Sequence, residues 1–143
     1  MTRSGRDGGS TSVETALLAP ALLALIGLAV LAGRVTTAAA AVEAAAGSAA
    51  REASLARTGQ QAWAAAERSA RRSLAEQRLT CHSIRIDVDV SAFGRPPGTP
   101  ATVRVTVSCH ASVADLTLPG VPGARRLAAD AVSPLDTYRG RAP

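Results

Sequence analysis

The feature that most constrains this chain is a stretch of 18 residues without a charge, Ala16–Gly33, which reads ALLAPALLALIGLAVLAG. As an α-helix rising 1.5 Å per residue it spans about 27 Å, close to the hydrocarbon thickness of a bilayer. A helix apolar on every side could instead be the centre of a large soluble protein. The rest of a 143-residue chain is too small to surround it, so the stretch predicts a transmembrane helix.

Helix-forming composition continues beyond this stretch as far as Arg57, alanine-rich but more polar, and predicts a stalk outside the membrane. Thr58 and Gln61 then form the pattern of a capping box, in which a hydroxyl residue begins a new helix. We expect this second helix to span residues 58–79. An apolar stripe at helical spacing should pack it against the rest of the protein: Trp63, Ala66, Ala70 and Leu74.

After residue 79 the apolar period changes to two, which is typical of half-buried strands. Residues 84–90 and 102–108 alternate in this way around a segment rich in Gly and Pro, so a hairpin is expected. If apolar residues lie opposite one another across the two strands, the register contains three pairs: Ile84–Val107, Ile86–Val105 and Val88–Val103. The same register places Asp87 opposite Arg104. Leu127–Val132 is a candidate third strand, Ser133-Pro134 should end it, and residues 134–143 read as an exposed tail.

The predicted fold is therefore α+β. It consists of a long N-terminal transmembrane helix with an extramembrane extension, a second helix, and a small antiparallel β-sheet within residues 80–133.

Two cysteines, Cys81 and Cys109, follow the apolar stretch, and in an exported domain an even pair predicts one disulfide. In the register above Cys109 faces His82, so Cys81 must leave the regular ladder for the bond to form. An alternative uses Cys81-His82 with Cys109-His110 as zinc ligands. Neighbouring strand residues point to opposite faces, which makes that arrangement unfavourable, and no metal is expected.

The net charge of +5 permits binding to nucleic acid, but the arginines are scattered and only three residues are aromatic. No basic stripe interleaved with aromatics is present in the sequence, so no nucleic acid is expected as a partner. The sequence also contains no nucleophile–base–acid set and no phosphate-binding glycine loop. We therefore expect no catalytic residues, no cofactor and no small-molecule substrate.

A motif stands where the polar N-terminus meets the apolar stretch: residues 8–20 read GGSTSVETALLAP. The first nine residues are polar, contain Arg3 and Arg6, and end in Gly9, which favours the extended, accessible backbone that a protease needs. Five residues later Glu14 stands at the entry to the apolar helix, where a carboxylate is costly and usually has a functional partner. The alternative for Glu14 is an interfacial charge that stabilises the helix N-terminus.

This motif resembles that of type IV prepilins, and specifically the TadE-like family of tight-adherence (Tad) pilus pseudopilins. The matching residues are Gly9, Val13, Glu14, Ala16, Leu17 and Pro20. The resemblance implies cleavage between Gly9 and Ser10 by a prepilin peptidase, with residues 10–57 kept as transmembrane helix and stalk. Ser10 and Thr15 stand where many type IV or Tad pilins carry aromatic residues, so the resemblance implies a minor pseudopilin. The Cys-flanked hairpin and residues 131–136 are similar to those of actinobacterial members.

The implied partners are the prepilin peptidase, other pseudopilins, the Tad pilus machinery and the membrane. The implied location is a single-pass cell-membrane protein, cytoplasmic at its N-terminus, with an extracytoplasmic C-terminal domain that stays in the membrane or enters the pilus. The leader arginines support this orientation, whereas Arg34 on the far side opposes it. The alternative is a small, disulfide-bonded secreted protein whose signal peptide ends near Ala40; its mature chain would start near Ala41 instead of Ser10.

Overall fold

The computed structural model describes the backbone of residues 8–96, 98–112 and 124–136. Helix α1 spans Gly8–Ser54, a run of 47 residues that corresponds to about 70 Å. The predicted transmembrane helix and stalk thus form one continuous helix. It begins at Gly8, so Gly8 and Gly9 lie inside α1 rather than before it, because a long Ala- and Leu-rich helix tolerates two glycines at about 1 kcal/mol each.

Helix α2 spans Gly59–Glu76 and folds back along α1, since the Gln77 side chain donates a hydrogen bond to the Ala41 carbonyl at 3.2 Å. The predicted N-cap is confirmed: the Thr58 hydroxyl accepts a hydrogen bond from the Gln61 backbone N–H at 3.2 Å. The reciprocal bond of the capping box is displaced by one residue. The Gln61 side-chain oxygen accepts from the Arg57 N–H at 3.4 Å.

The buried stripe of α2 differs from the prediction at one position. It consists of four residues at four-residue spacing, Ala62, Ala66, Ala70 and Leu74. Trp63 was wrongly placed in the stripe, because its side chain is 48% exposed. The facing side of α1 is also built of buried alanines, among them Ala45, Ala49 and Ala53, and such small side chains let the two helices approach too closely for an indole ring.

Three antiparallel strands form one sheet in the order β1-β2-β3. Strand β1 spans Cys81–Asp89, β2 spans Thr102–Ser112 and β3 spans Ala124–Pro134. The predicted third strand is confirmed, and it is longer than residues 127–132. The two helices and this sheet bear out the α+β class.

The hairpin register was wrong by two residues. Ile84 pairs with Cys109, Ile86 with Val107 and Val88 with Val105. A shift of two keeps every side chain on its own face, so matching of apolar faces cannot choose between the two registers. Charge matching could not choose either, because both registers place an aspartate opposite Arg104: Asp87 in the predicted register and Asp89 in the observed one. The Arg104 guanidinium also contacts the carboxylate of Asp130 on β3 at 2.7 Å.

One face of the sheet is covered by the helices and the other is open. The inward residues of β2 are fully buried: Val103, Val105, Val107, Cys109 and Ala111. They pack with the buried side of α1 between Ala38 and Ala53. The open face carries polar residues such as Arg85, Asp87 and Asp130. The part of the chain that folds on itself is thus a two-layer α+β domain built on the second half of α1.

The domain has two ends, which we name distal and proximal by their distance from the apolar half of α1. At the distal end, the Ser133 hydroxyl donates to the Ser54 hydroxyl at 3.0 Å, and the N–H of Leu135 donates to the Ala101 carbonyl at 2.9 Å. The proximal end lies where the apolar half of α1 enters the domain. It contains residues 77–83 after α2, residues 110–112 of β2 and residues 124–126 of β3.

At the distal end, Asp89 closes β1. The pKa of Asp89 is lowered because the Ser91 hydroxyl, and then the Ser91 backbone N–H at 3.0 Å, donate hydrogen bonds to its carboxylate. A lowered pKa stabilises the fold above the ordinary Asp range, and the contribution disappears as the pH falls through the folded-state value. This turn therefore loosens on acidification.

At the proximal end, α2 stops in a Schellman motif. The N–H of Leu79 donates to the Leu74 carbonyl at 3.1 Å, and the N–H of Arg78 donates to the Ala75 carbonyl at 3.0 Å. Arg78 therefore occupies the position that usually holds glycine, and its φ of 55° lies in the left-handed region. A side chain in that conformation costs roughly 1–2 kcal/mol relative to the ordinary helical region.

We expect Arg78→Gly to raise the free energy of unfolding by about 1 kcal/mol, because glycine adopts this φ without penalty. The measurement is chemical denaturation of the full chain in detergent micelles, followed by far-ultraviolet circular dichroism. Arg78→Ala is the matched control, since it removes the same long side chain but keeps the backbone penalty. Equal stabilisation by both variants would contradict the explanation from φ.

Candidate functional site

The motif residues lie in the first turns of α1, whose backbone is helical from Gly8 onwards. Gly9 and Ser10 flank the expected cut and are part of that helix. At 100° per residue, Val13, Leu17 and Pro20 occupy one face, with Ala16 beside them. Glu14 lies about 100° away from Val13 around the axis. The motif therefore places one apolar face and one carboxylate position side by side at the start of the helix.

Pro20 lies inside α1 and its side chain is exposed. It has no N–H, so it cannot donate the helical hydrogen bond to the carbonyl of Ala16. Within a membrane such a carbonyl needs another partner, which neighbouring helices or hydroxyl groups supply. Pro20 thus marks a place on α1 where a second helix can be accommodated.

The charges that border the apolar segment have a spacing that suits a bilayer. Glu14 and Arg34 are 20 residues apart, and no charged residue lies between them. Because α1 is continuous, they are separated by about 30 Å along its axis. This distance matches the hydrocarbon core of a typical bilayer, so one helix can place both charges in interfacial regions.

In the part of the chain that the structure describes, the side chains of the apolar segment are not covered by the rest of the protein. Its large side chains are between 51% and 69% exposed: Leu18, Leu22, Leu23, Leu25, Ile26, Leu28 and Val30. They surround the helix on all sides, whereas soluble monomers rarely expose an apolar patch of this extent. By length and composition this one helix can cross a membrane, a property that signal sequences share. It fits a single-pass membrane anchor.

Cys81 and Cys109 are joined by a disulfide, with their Cα atoms 5.5 Å apart. The ladder between β1 and β2 is irregular between Cys81 and Ser83, and Cys81 pairs with Ala111. An irregularity at Cys81 was expected from a register with Cys109 opposite His82; in the observed register Cys109 lies opposite Ile84. The bond closes the proximal end of the domain. It also occupies both sulfurs, which removes two of the four ligands from the zinc alternative.

A groove of about 670 Å³ at the proximal end was not anticipated from the sequence. One wall is α1 from Val30 to Ala41, and the other is the segment after α2. Its basic lining residues are Arg34 and Arg78, which lie 44 positions apart in the chain (78 − 34). No local pattern connects them, and the only sequence signal was that Arg34 is the first charge after the apolar segment.

Residues 9–51 match the family model described as TadE-like protein. No curated protein and no solved structure matches the chain. The matched segment begins at Gly9, contains Glu14 and Pro20, and ends near the C-terminus of α1; α2 and the sheet lie outside it. Over residues 9–51 the N-terminal helix of this chain is therefore similar to the TadE-like family.

Proposed function

We propose that this chain is a minor pseudopilin of a tight-adherence pilus, cleaved between Gly9 and Ser10 by a prepilin peptidase and anchored by its N-terminal helix. The observation that carries the proposal is the start of the family match at Gly9, the residue expected to end the leader. Glu14 is then the fifth residue of the mature chain. Its distance from Arg34 supports insertion with one charge at each interface.

The rest of the structure is consistent with a binding role in an extracytoplasmic compartment. The disulfide at the proximal end is of the kind that persists in oxidising compartments. The two-layer domain on the stalk presents an open polar face and two sheet edges. In this proposal the protein binds other pseudopilins and pilus machinery and catalyses nothing; the peptidase acts on it as a substrate.

Cleavage requires that the first turn of α1 opens. A peptidase needs an extended backbone at the cut, whereas Gly9 lies inside the helix. Glycine is among the poorest helix formers, by about 1 kcal/mol per residue, so Gly8 and Gly9 make this end the easiest part of α1 to unwind. The leader residues before Gly8 lie outside the described residues.

The decisive experiment is mass spectrometry of the N-terminus of protein recovered from cell membranes. A chain starting at Ser10 supports the pseudopilin proposal. A chain starting near Ala41, recovered from the medium, supports the secreted alternative, in which a conventional signal peptide is removed. Membrane protein that starts at Met1 or Thr2 would contradict cleavage.

In the same proposal, Glu14 meets the new amine on Ser10 of a neighbouring subunit after cleavage. Pairing would offset part of the roughly 2.5–3.5 kcal/mol that a carboxylate costs at the centre of a membrane helix, less at an interface. We expect Glu14→Ala to be cleaved and inserted normally but to lose crosslinks to partner pseudopilins, with Glu14→Asp keeping some. Crosslinking in membranes, with cleavage scored on the same gel, makes the measurement.

Glu43→Ala is the matched control for this test. Glu43 is an exposed carboxylate on the same helix, beyond the apolar segment. It should leave both cleavage and crosslinking unchanged. If Glu14→Ala crosslinks and supports pilus assembly as well as the parent does, Glu14 is only an interfacial charge at the helix N-terminus.

A further inference from the structure

The groove at the proximal end is graded from apolar to cationic along α1. Val30 and Gly33 line the part nearest the apolar segment. Arg34 and Thr37 line the next turn, and Arg78 stands across from α1 on the segment that follows α2. The charge-free stretch ends at Gly33, so a bilayer that covers it puts the headgroup layer at the height of Arg34.

The charges around the groove are of one sign. None of its described lining residues is a carboxylate. Within the described residues, ion pairs join Arg71 to Glu67 and Arg104 to Asp130, and neither Arg34 nor Arg78 forms an ion pair with a carboxylate there. Glu76 lies nearby in the chain, in the last turn of α2, but does not line the groove.

Two more arginines lie at the same end of the domain. Arg125 and Arg126 are exposed at the start of β3, and Arg125 pairs with Ala111, which itself lines the groove. At the distal end, exposed carboxylates alternate with arginines: Glu52, Asp89 and Asp136. Near the proximal end the exposed carboxylate of α2 is Glu76, which lies outside the groove lining. The domain therefore presents its cationic end towards the apolar half of α1.

Arg78 has a backbone conformation that is unusual for any residue except glycine. It occupies the glycine position of a Schellman motif with φ of 55°, so its side chain is retained at a cost to the fold. Arg78 lines the same groove as Arg34.

We propose that this groove binds the phosphate headgroup of an anionic phospholipid in the leaflet next to the α+β domain. Arg34 and Arg78 donate hydrogen bonds and charge to the phosphate from two sides, and the start of the acyl chain lies against Val30 and Gly33. The bound lipid fixes the depth and rotation of α1 and the orientation of the domain on the membrane. This inference rests on the proposed membrane anchorage, but not on cleavage or pilus assembly.

The test uses the full chain in nanodiscs made of equal parts phosphatidylglycerol and phosphatidylcholine. Native mass spectrometry, with lipid quantification after gentle delipidation, measures which lipid stays bound. One arginine near a charged membrane surface contributes about a fivefold preference. The parent should therefore retain phosphatidylglycerol at least fivefold over phosphatidylcholine. Arg34→Gln/Arg78→Gln should lose most of this preference, and Arg125 and Arg126 account for what remains.

Two further variants separate lipid binding from charge and from folding. Arg51→Gln/Arg57→Gln removes the same charge from exposed positions at the distal end and should keep the preference of the parent. Arg78→Gly relieves the backbone conformation while removing the guanidinium, so it should lose most of the preference in a better-folded protein. Glycerol 3-phosphate added at millimolar concentration should not displace the lipid, because it has no acyl chain.

The possible failures are distinct. A parent that enters nanodiscs but shows no preference overturns the lipid site alone. An equal loss of preference from the distal and proximal double variants overturns it as well, since net charge would then be sufficient. Displacement by glycerol 3-phosphate would show an anion site without lipid specificity and would also overturn it. A chain that does not enter nanodiscs overturns membrane anchorage and this inference together.

Discussion

Replacing Gly9 with leucine is expected to block removal of the leader while membrane insertion continues. The two steps depend on different parts of the chain: insertion on Ala16–Gly33, and cleavage on the peptide bond before Ser10. Leucine strengthens the helix that starts at Gly8 by about 1 kcal/mol, so unwinding alone should slow cleavage about fivefold. A bulky side chain next to the cut should reduce it further. The measurement is the ratio of uncut to cut protein in isolated membranes.

Two companion variants interpret this result. Gly27→Leu makes the same change inside the apolar segment, where an added Cβ meets nothing within 4 Å, and should be cleaved like the parent. Gly9→Ala strengthens the helix at least as much as leucine but adds only one methyl group. If it blocks cleavage as fully as Gly9→Leu, helix unwinding is the barrier; if it is cleaved, side-chain size is. Identical N-termini in Gly9→Leu and the parent would disprove the proposed cut.

Removing the disulfide is expected to have the largest effect on stability. The bond joins residues 28 positions apart, and in the chain-entropy model a loop of this size contributes roughly 3–4 kcal/mol. Domains of this size are stable by only about 5–15 kcal/mol, so Cys81→Ala/Cys109→Ala should lose a large share of the total. Denaturant titration of the full chain in micelles measures the difference.

The parent treated with a reductant is the matched control, because it loses the bond but keeps both side chains in place. It should unfold at nearly the same denaturant concentration as the double variant, with a small further loss in the variant because Cys109 is fully buried. In intact cells the parent should show no reactive thiol before reduction. A double variant within 0.5 kcal/mol of the oxidised parent would contradict the entropic contribution.

Much of the site was readable from the sequence because its signals are local. The change from polar to apolar at residues 8–20, the position of Glu14 and the charge-free run up to Gly33 are contiguous patterns. In the structure these patterns lie in one continuous helix, and the large apolar side chains of that helix are exposed. The groove could not be predicted from the sequence, because Arg34 and Arg78 come together only when α2 returns along α1. The left-handed backbone conformation of Arg78 is likewise seen only in the structure.

The sequence by itself determined which segments become helix or strand, because a period of 3.6 or 2 is a property of neighbouring residues. It also predicted the disulfide between Cys81 and Cys109, because both cysteines follow the apolar stretch. Only the tertiary structure decided the register of β1 on β2, since a two-residue shift preserves both faces and keeps an aspartate opposite Arg104, Asp89 in place of Asp87. The tertiary structure likewise placed Trp63 outside the helix interface, where close packing admits alanine and excludes an indole.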